Sequence, residues 1–287
     1  MSYILAVGNV TWDVIQQVEH YPQENEEMRA SEQWQDSGGN AANTLRVLAE
    51  HRHRCDFAGV IAHDVVGERI QQQLQRNGVN LNHASFIDGQ SPLSHIIFNA
   101  TSGSRTIVHY RDLPEFSAQA FEEIPVSRYD WVHFEGRNPK QLPAMLAFAR
   151  DNVIDQPISL ELEKLHPGLE ALIPLTDMVF FSQTYAQAAG FNDPAIFLTA
   201  QQALYGAVWM TCTWGEQGAW AIDQYGECLQ VAAPRLDKVV DTRGAGDTFN
   251  AGMIHALVTG QPLDSALAYA VQLAGRKVQQ RGFAGLG

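Results

Sequence analysis

The run Asp241-Thr242-Arg243-Gly244-Ala245-Gly246-Asp247-Thr248-Phe249-Asn250 carries the densest chemistry in the chain. Two glycines and an alanine stand just before a helical pattern in which Phe249, Met253, Ile254, Leu257 and Val258 recur at helix spacing. Small residues at a helix start let several backbone N–H groups converge on one point. Donors of the first turn are unpaired there, and the helix dipole adds partial positive charge. The result is an anion site suited to a phosphoryl group as charge develops on it. Asp247 stands at the same place, and the obvious task for a carboxylate beside such a site is to accept a proton from an attacking hydroxyl. Gly-x-Gly-Asp alone is a weak signal, because small residues also let a helix pack close to a strand and Asp is a common helix starter.

Other candidate groups are spread along the chain. Asp13 follows the apolar run Ile4 to Val10, which reads as the buried first strand of a parallel sheet. An Asp just past such a strand lies where open α/β sheets bind ligands, although a loop cap competes with this role. Gly38-Gly39-Asn40-Ala41-Ala42-Asn43 opens a helix through Leu45, Val47 and Leu48. Its glycines permit close backbone approach to a ligand. The amides of Asn40 and Asn43 suit sugar hydroxyls, with ordinary helix capping by Asn40 as the alternative. Glu161 and Glu163 alternate on one face at a strand end, placed either to orient magnesium through waters or to line a solvated edge. Arg105 enters the second strand of a hairpin, as a surface residue or as a phosphate ligand reaching over a site. His51 and His53, in a His-Arg-His-Arg run, are expected at a solvated helix end.

These positions need a scaffold. With 287 residues, 45% of them hydrophobic, the chain is long enough for one large α/β domain with a small appendage, or for two domains. A net charge of -13 excludes general nucleic-acid binding, but not a single nucleotide such as ATP. The three cysteines, Cys55, Cys212 and Cys228, are scattered, which points to thiols rather than disulfides or zinc ligands. The N-terminus lacks a signal-peptide pattern and no apolar run is long enough to cross a membrane, so a cytoplasmic protein is expected. Strands are predicted at Ile4–Val10, Cys55–Ile61, Trp131–Glu135, Ile158–Glu163, Met178–Ser182 and Val208–Thr213, with helices between them. Trp214-Gly215-Glu216-Gln217-Gly218 is a tight connection into Ala219–Asp223. Cys228–Ala233 and a last helix from Pro262 to about Arg281 follow. This alternation predicts an α/β fold of three layers (α/β/α) around a mainly parallel central sheet. The polar segment 14–37 and the hairpin Ser94–Ala100/Arg105–Tyr110 are expected to form a small β-sheet lid. The expected division is 1–12, 36–90 and 113–287 for the main domain, with 13–35 and 91–112 for the lid.

The full run Asp-Thr-x-Gly-Ala-Gly-Asp-Thr-Phe, with Gly38-Gly39-Asn40-Ala41, resembles the signatures of the ribokinase-type (pfkB) carbohydrate kinases. Tyr21-Pro22, Arg105-Thr106-Ile107-Val108, Glu135-Gly136-Arg137-Asn138, Glu161-x-Glu163-Lys164 and Gly282-Phe283-Ala284-Gly285 extend the resemblance along almost the whole chain, toward the ketohexokinase (fructokinase) branch of that family. The resemblance implies a ribokinase-like fold and phosphoryl transfer from ATP, with Mg2+, to the 1-hydroxyl of a ketohexose such as D-fructose. It implies Asp247 as base and the amides of Gly244, Ala245 and Gly246 as anion hole. Asp13, Gly39, Asn40 and Asn43 would hold the sugar. Arg105, Gly215, Glu216, Gly218 and Phe249 would hold the nucleotide. A homodimer joined through the lid strands is implied as well. Many family members carry an Asn-x-x-Glu motif for magnesium, where this chain has Ser182-Gln183-Thr184-Tyr185, so the metal contacts stay open beyond Glu161 and Glu163 acting through water. Two other readings compete: a kinase for another sugar or a nucleoside (fructose at its 6-hydroxyl, ribose), and a non-catalytic sugar-binding protein on the same fold. Retention of both Asp247 and the glycines weighs against the second.

Overall fold

The computed structural model describes residues 1–206 and 208–287. The first part of the chain forms β1 (Tyr3–Val7), β2 (Thr11–Val18), β3 (Glu32–Gly38), α1 (Asn40–Glu50), β4 (Arg54–Ala58), β5 (Val60–Ala62), α2 (Val65–Arg76), β6 (Val79–Asn80), β7 (Ser85–Ile87), β8 (Leu93–Asn99) and β9 (Arg105–Tyr110). The rest forms α3 (Ala118–Glu122), β10 (Trp131–Glu135), α4 (Leu142–Asn152), β11 (Ile158–Leu162), β12 (Met178–Ser182), α5 (Gln183–Ala188), α6 (Pro194–Tyr205), β13 (Trp209–Thr213), β14 (Ala219–Ile222), β15 (Cys228–Val231), α7 (Ala245–Val258) and α8 (Leu263–Lys277).

Among the described residues, nine strands make the main sheet in the order β15-β14-β13-β12-β11-β10-β1-β4-β6. Pairing is parallel from β6 through β13 and antiparallel at β14 and β15. Both faces are covered, which explains the continuous apolar runs of the central strands. Successive residues go to opposite cores: Ile4 and Ala6 pack with Leu45, Met253 and Leu267 of α1, α7 and α8. Leu5, Val7 and Phe134 pack with Leu146 of α4 and Phe197 of α6. This is the three-layer arrangement expected. The parallel strands end on one edge, where Glu135, Leu162, Ser182 and Thr213 stand, and ligands of open α/β sheets bind at such an edge.

A second sheet has the order β3-β2-β8-β9. Its hairpin, β8 with β9, pairs Leu93 with Tyr110 and Phe98 with Arg105. Several boundaries differ from expectation. β2 starts at Thr11, so Asp13 lies inside a strand of the small sheet and not in a loop after β1. β3 begins at Glu32. Helix α4 begins at Leu142, after Asn138 in a left-handed conformation (φ 59°) and a short turn.

The expectation of a solvated helix end at His51 and His53 is overturned. His53 is 6% exposed. Its Nδ1 accepts from the Ser2 N–H at 3.1 Å, so Nε2 carries the proton and donates to His255 Nδ1 at 2.9 Å. His51 Nε2 lies 2.5 Å from the Tyr269 hydroxyl. The cluster bolts the end of α1 to α7 and α8. Burial, joined by repulsion from the N-terminal amino group and from neighbouring histidines, pushes His53 and His255 down to about 4. Depressed histidines contribute stability that is present above their unfolded value of 6.5 and lost as pH falls through 4. The stability advantage of wild type over His255→Gln is therefore expected to shrink between pH 7 and pH 4 in urea melts. A difference independent of pH would show that the cluster does not titrate in this window.

Candidate active site

Helix α7 starts where it does because Gly244 takes the left-handed N-cap (φ 71°), a conformation costly for any residue with a Cβ. Thr248 folds back on it: its N–H and its hydroxyl both donate to the Gly244 carbonyl, at 2.9 and 2.7 Å. Beyond its backbone angle, Gly244 is pinned by the Phe283 ring, which a Cβ would meet at 2.5 Å. Gly246 is the opposite case. It is exposed, and a Cβ there would meet no atom within 4 Å. No neighbouring group crowds the first turn of α7 at that position. Ala245 N–H makes only a long contact, 3.3 Å, to the Thr242 carbonyl.

Asp247, in the same turn, is 7% exposed. Asn43 Nδ2 donates to its Oδ2 at 2.7 Å, and Thr44 Oγ1 donates to its backbone carbonyl at 3.3 Å. Both partners come from α1, whose start is fixed by Gly39 (φ 103°). A side chain at Gly39 would lie 2.2 Å from the Asn9 carbonyl. Asn40 does not cap that helix. Its Nδ2 donates instead to Glu161 Oε1 at 3.2 Å and Glu163 Oε2 at 3.0 Å. Strand β11 ends at Leu162, so Glu161 is buried and Glu163 exposed, but one amide joins them.

The site is electrostatically strained towards negative charge. Burial, then the carboxylates of Glu163 and Glu135, push Asp247 up to about 8, against the Asn43 bond and the Lys277 charge. Burial, then Asp247 and its acidic neighbours, hold Glu161 well above the usual carboxylate range. Oε2 of Glu161 is buried without a hydrogen-bond partner among the described residues. A raised carboxylate contributes stability that is full below its unfolded value and lost as pH rises through its folded value. Asp247→Asn should therefore gain stability relative to wild type as pH rises from 3.8 towards 8. Denaturant melts of both proteins across that range check this, and parallel curves would contradict it.

Among the described residues, no three acidic, histidine or cysteine side chains converge to hold a metal by themselves. A hard divalent cation that keeps its waters and uses one or two carboxylates plus phosphate oxygens nevertheless fits the partnerless Glu161 oxygen and Glu163 beside it.

A cavity is lined by Asp13, Asn43, Gly244, Arg243, Lys277 and Phe283, among others. The structure thus brings Asp13 and Asn43 together with the start of α7. Asp13 Oδ1 accepts from Thr11 Oγ1 at 3.1 Å, and its Oδ2 lies 4.0 Å from Arg243. Burial raises Asp13 against the Ser94 and Thr11 bonds and the Arg243 charge. Arg243 grips Asp241 with Nε and Nη2 at 3.0 and 2.7 Å. Burial alone would raise Asp241, but these bonds and Lys277 outweigh it and lower its pKa. Arg105 of β9 donates to Thr242 Oγ1 at 2.6 Å, so the small sheet touches the loop before α7.

Gly215 and Glu216 are exposed in the turn after β13, on the ligand-binding edge. Gly218 closes that turn, and a Cβ there would lie 2.0 Å from the Val231 carbonyl, so it is needed for packing on β15. Phe249 departs from its expected place. Its side chain is 2% exposed in the core beneath α7, where it packs rather than faces a ligand. Sequence reasoning missed Arg46, which is 5% exposed and donates to Asp36 and Ser37. It also missed Lys277, 1% exposed. A basic residue on an amphipathic helix gives no local signal that it points inward.

Residues 1–285 match the pfkB family carbohydrate kinase model. Ketohexokinase of Mus musculus is 37% identical to the chain, with 99% of this chain and 98% of that protein aligned. A putative ribokinase from Agrobacterium tumefaciens superposes with a TM-score of 0.86 at 23% identity, over 98% of this chain and 92% of the other. Ribokinase of Arabidopsis thaliana, solved with ribose and ATP, superposes with 0.83 at 22%, over 98% and 94%. These superpositions show a ribokinase-like fold. With a family match along nearly its whole length, the chain belongs to the pfkB family of carbohydrate kinases, phosphotransferases that act on a sugar hydroxyl.

Proposed function

We propose that the chain transfers the γ-phosphoryl group of ATP to the 1-hydroxyl of D-fructose. The observation that carries the chemistry is one helix turn holding a buried carboxylate, Asp247, beside Gly246, which is exposed and has no neighbour within 4 Å of a Cβ position. The ketose assignment is supported by the likeness to mouse ketohexokinase.

Asp247 takes the proton of the attacking hydroxyl. Asn43 occupies its Oδ2, which leaves Oδ1 for the sugar and fixes the plane of the carboxylate. A base held near 8 is matched to work at neutral pH better than an ordinary Asp would be. Asp13, Gly39, Asn40 and Asn43 hold the other hydroxyls, and the amides of Gly244, Ala245 and Gly246 take up negative charge on the transferring group. Arg105, already beside Thr242, contacts the phosphates from above. Gly215, Glu216 and Gly218 border the nucleotide. Glu161 and Glu163 would hold Mg2+ through its waters, and that ion neutralises charge on the phosphates when bound. A homodimer would form through the small sheet, whose edge strand β9 leaves Ile107, Val108 and Tyr110 exposed. Among the described residues, no helix is long and apolar enough to cross a membrane.

The test is ATP-dependent phosphorylation of a panel containing D-fructose, ribose and nucleosides, with NMR of the product. Fructose 1-phosphate is expected. A 6-phosphate, or turnover of another sugar only, would overturn the substrate. No turnover with any of them would favour a binding protein.

A further inference from the structure

Lys277 is an unusual residue to bury. It ends α8 with 1% exposure, and an ammonium taken out of water costs several kcal/mol unless its surroundings compensate. Here they do so in a particular direction. Nζ donates to the Asp241 carbonyl at 3.1 Å and to the Gln280 carbonyl at 3.4 Å, and it lies 3.9 Å from Asp241 Oδ2. It also lies over the Phe283 ring, 5.5 Å from its centroid, where Arg46 approaches at 4.7 Å. That ring is the one abutting Gly244. One cation therefore touches both things that fix the start of α7: the backbone leading into it from Asp241, and the aromatic wedge against its N-cap. Its charge also opposes the upward shift of Asp247, but its direct contacts are to the backbone and ring that fix the start of α7 rather than to the base. A methionine would fill the same volume at lower desolvation cost.

We propose that Lys277 is a positioning residue for phosphoryl transfer. Its ammonium ties the Asp241 carbonyl to the C-terminal turn, and so holds Gly244 and the first-turn amides of α7 at the spacing an anion hole needs. This rests on the anion hole assigned above. The lysine sets the geometry of the hole without touching the phosphate.

Lys277→Ala in the full chain tests it. A displacement of the hole by about 1 Å would cost on the order of 10²-fold in kcat. The KM for sugar should change little, because Asp13, Asn40 and Asn43 are untouched. Ammonium or methylammonium chloride should restore much of the lost kcat by entering the vacated space, and sodium chloride at equal ionic strength should not. Wild-type kcat in the variant overturns the proposal. So does a folded variant whose loss amines do not restore. If the alanine variant fails to fold, Lys277→Met keeps the volume without the charge, and wild-type kcat in that protein overturns the proposal equally. Wild type is assayed first on D-fructose. If it is silent there, the substrate assignment fails, and the comparison is made on whichever panel sugar it phosphorylates.

Discussion

Asp247→Asn is expected to lower kcat by roughly 10²–10⁴-fold, the usual contribution of a general base. The replacement is nearly isosteric, and its amide oxygen still accepts from Asn43 Nδ2, so the contact between α1 and α7 survives. It also removes a group that can ionise beside Glu161, Glu163 and Glu135, so the fold has no reason to weaken. Sugar affinity should be little altered, because the substitution leaves Asp13, Asn40 and Asn43, the residues proposed to hold the sugar hydroxyls, in place. The loss therefore belongs in kcat and not in KM. Steady-state kinetics with calorimetric ATP binding separate these outcomes. A variant turning over near the wild-type rate would remove Asp247 from the chemistry, and loss of ATP binding would place the damage in the scaffold.

The order of elements was legible because the central strands are buried on both faces and read as continuous apolar runs, and because the Gly-rich segments mark helix starts. Gly244 illustrates why such a mark is reliable: both its positive φ and the Phe283 ring exclude a side chain. Places where long-range contact overrides local pattern were not legible. Asp13 looked like a loop residue because nothing nearby shows that Thr11 to Val18 pairs with Leu93 to Asn99, some eighty positions on. His53 and His255 meet across two hundred residues, and neither neighbourhood is apolar enough to announce burial. Phe249 sits in the signature itself, yet its helical phase points it at the sheet. The local pattern gave its periodicity correctly, while the ligand contact implied by resemblance conflicts with where that periodicity sends the ring. Lys277 is the extreme case, since its identity argues for solvent, while the carbonyls of Asp241 and Gln280, the Asp241 carboxylate and the Phe283 ring explain its place.

Gly246→Val should separate activity from stability. The backbone at Gly246 is helical, the residue is exposed and a Cβ there meets no neighbour within 4 Å, so a side chain is not forced into the fold. Intrinsic helix preference differs by only a few tenths of a kcal/mol between the two residues, in valine's favour. The melting temperature should therefore stay near that of wild type. Under the function proposed above, however, a branched side chain in that first turn would crowd the approach of the transferring phosphoryl group to the amide donors of the anion hole. Denying the group even one such donor costs about 10²–10³-fold in kcat. Gly244→Val makes the contrast: with φ at 71° and Phe283 at 2.5 Å from the new Cβ, it should lose stability and activity together. Thermal melts and kcat on the two variants give the comparison. If Gly246→Val kept wild-type turnover, the negative charge would have to develop away from the start of α7, and Asp247 would be left without a reacting centre beside it.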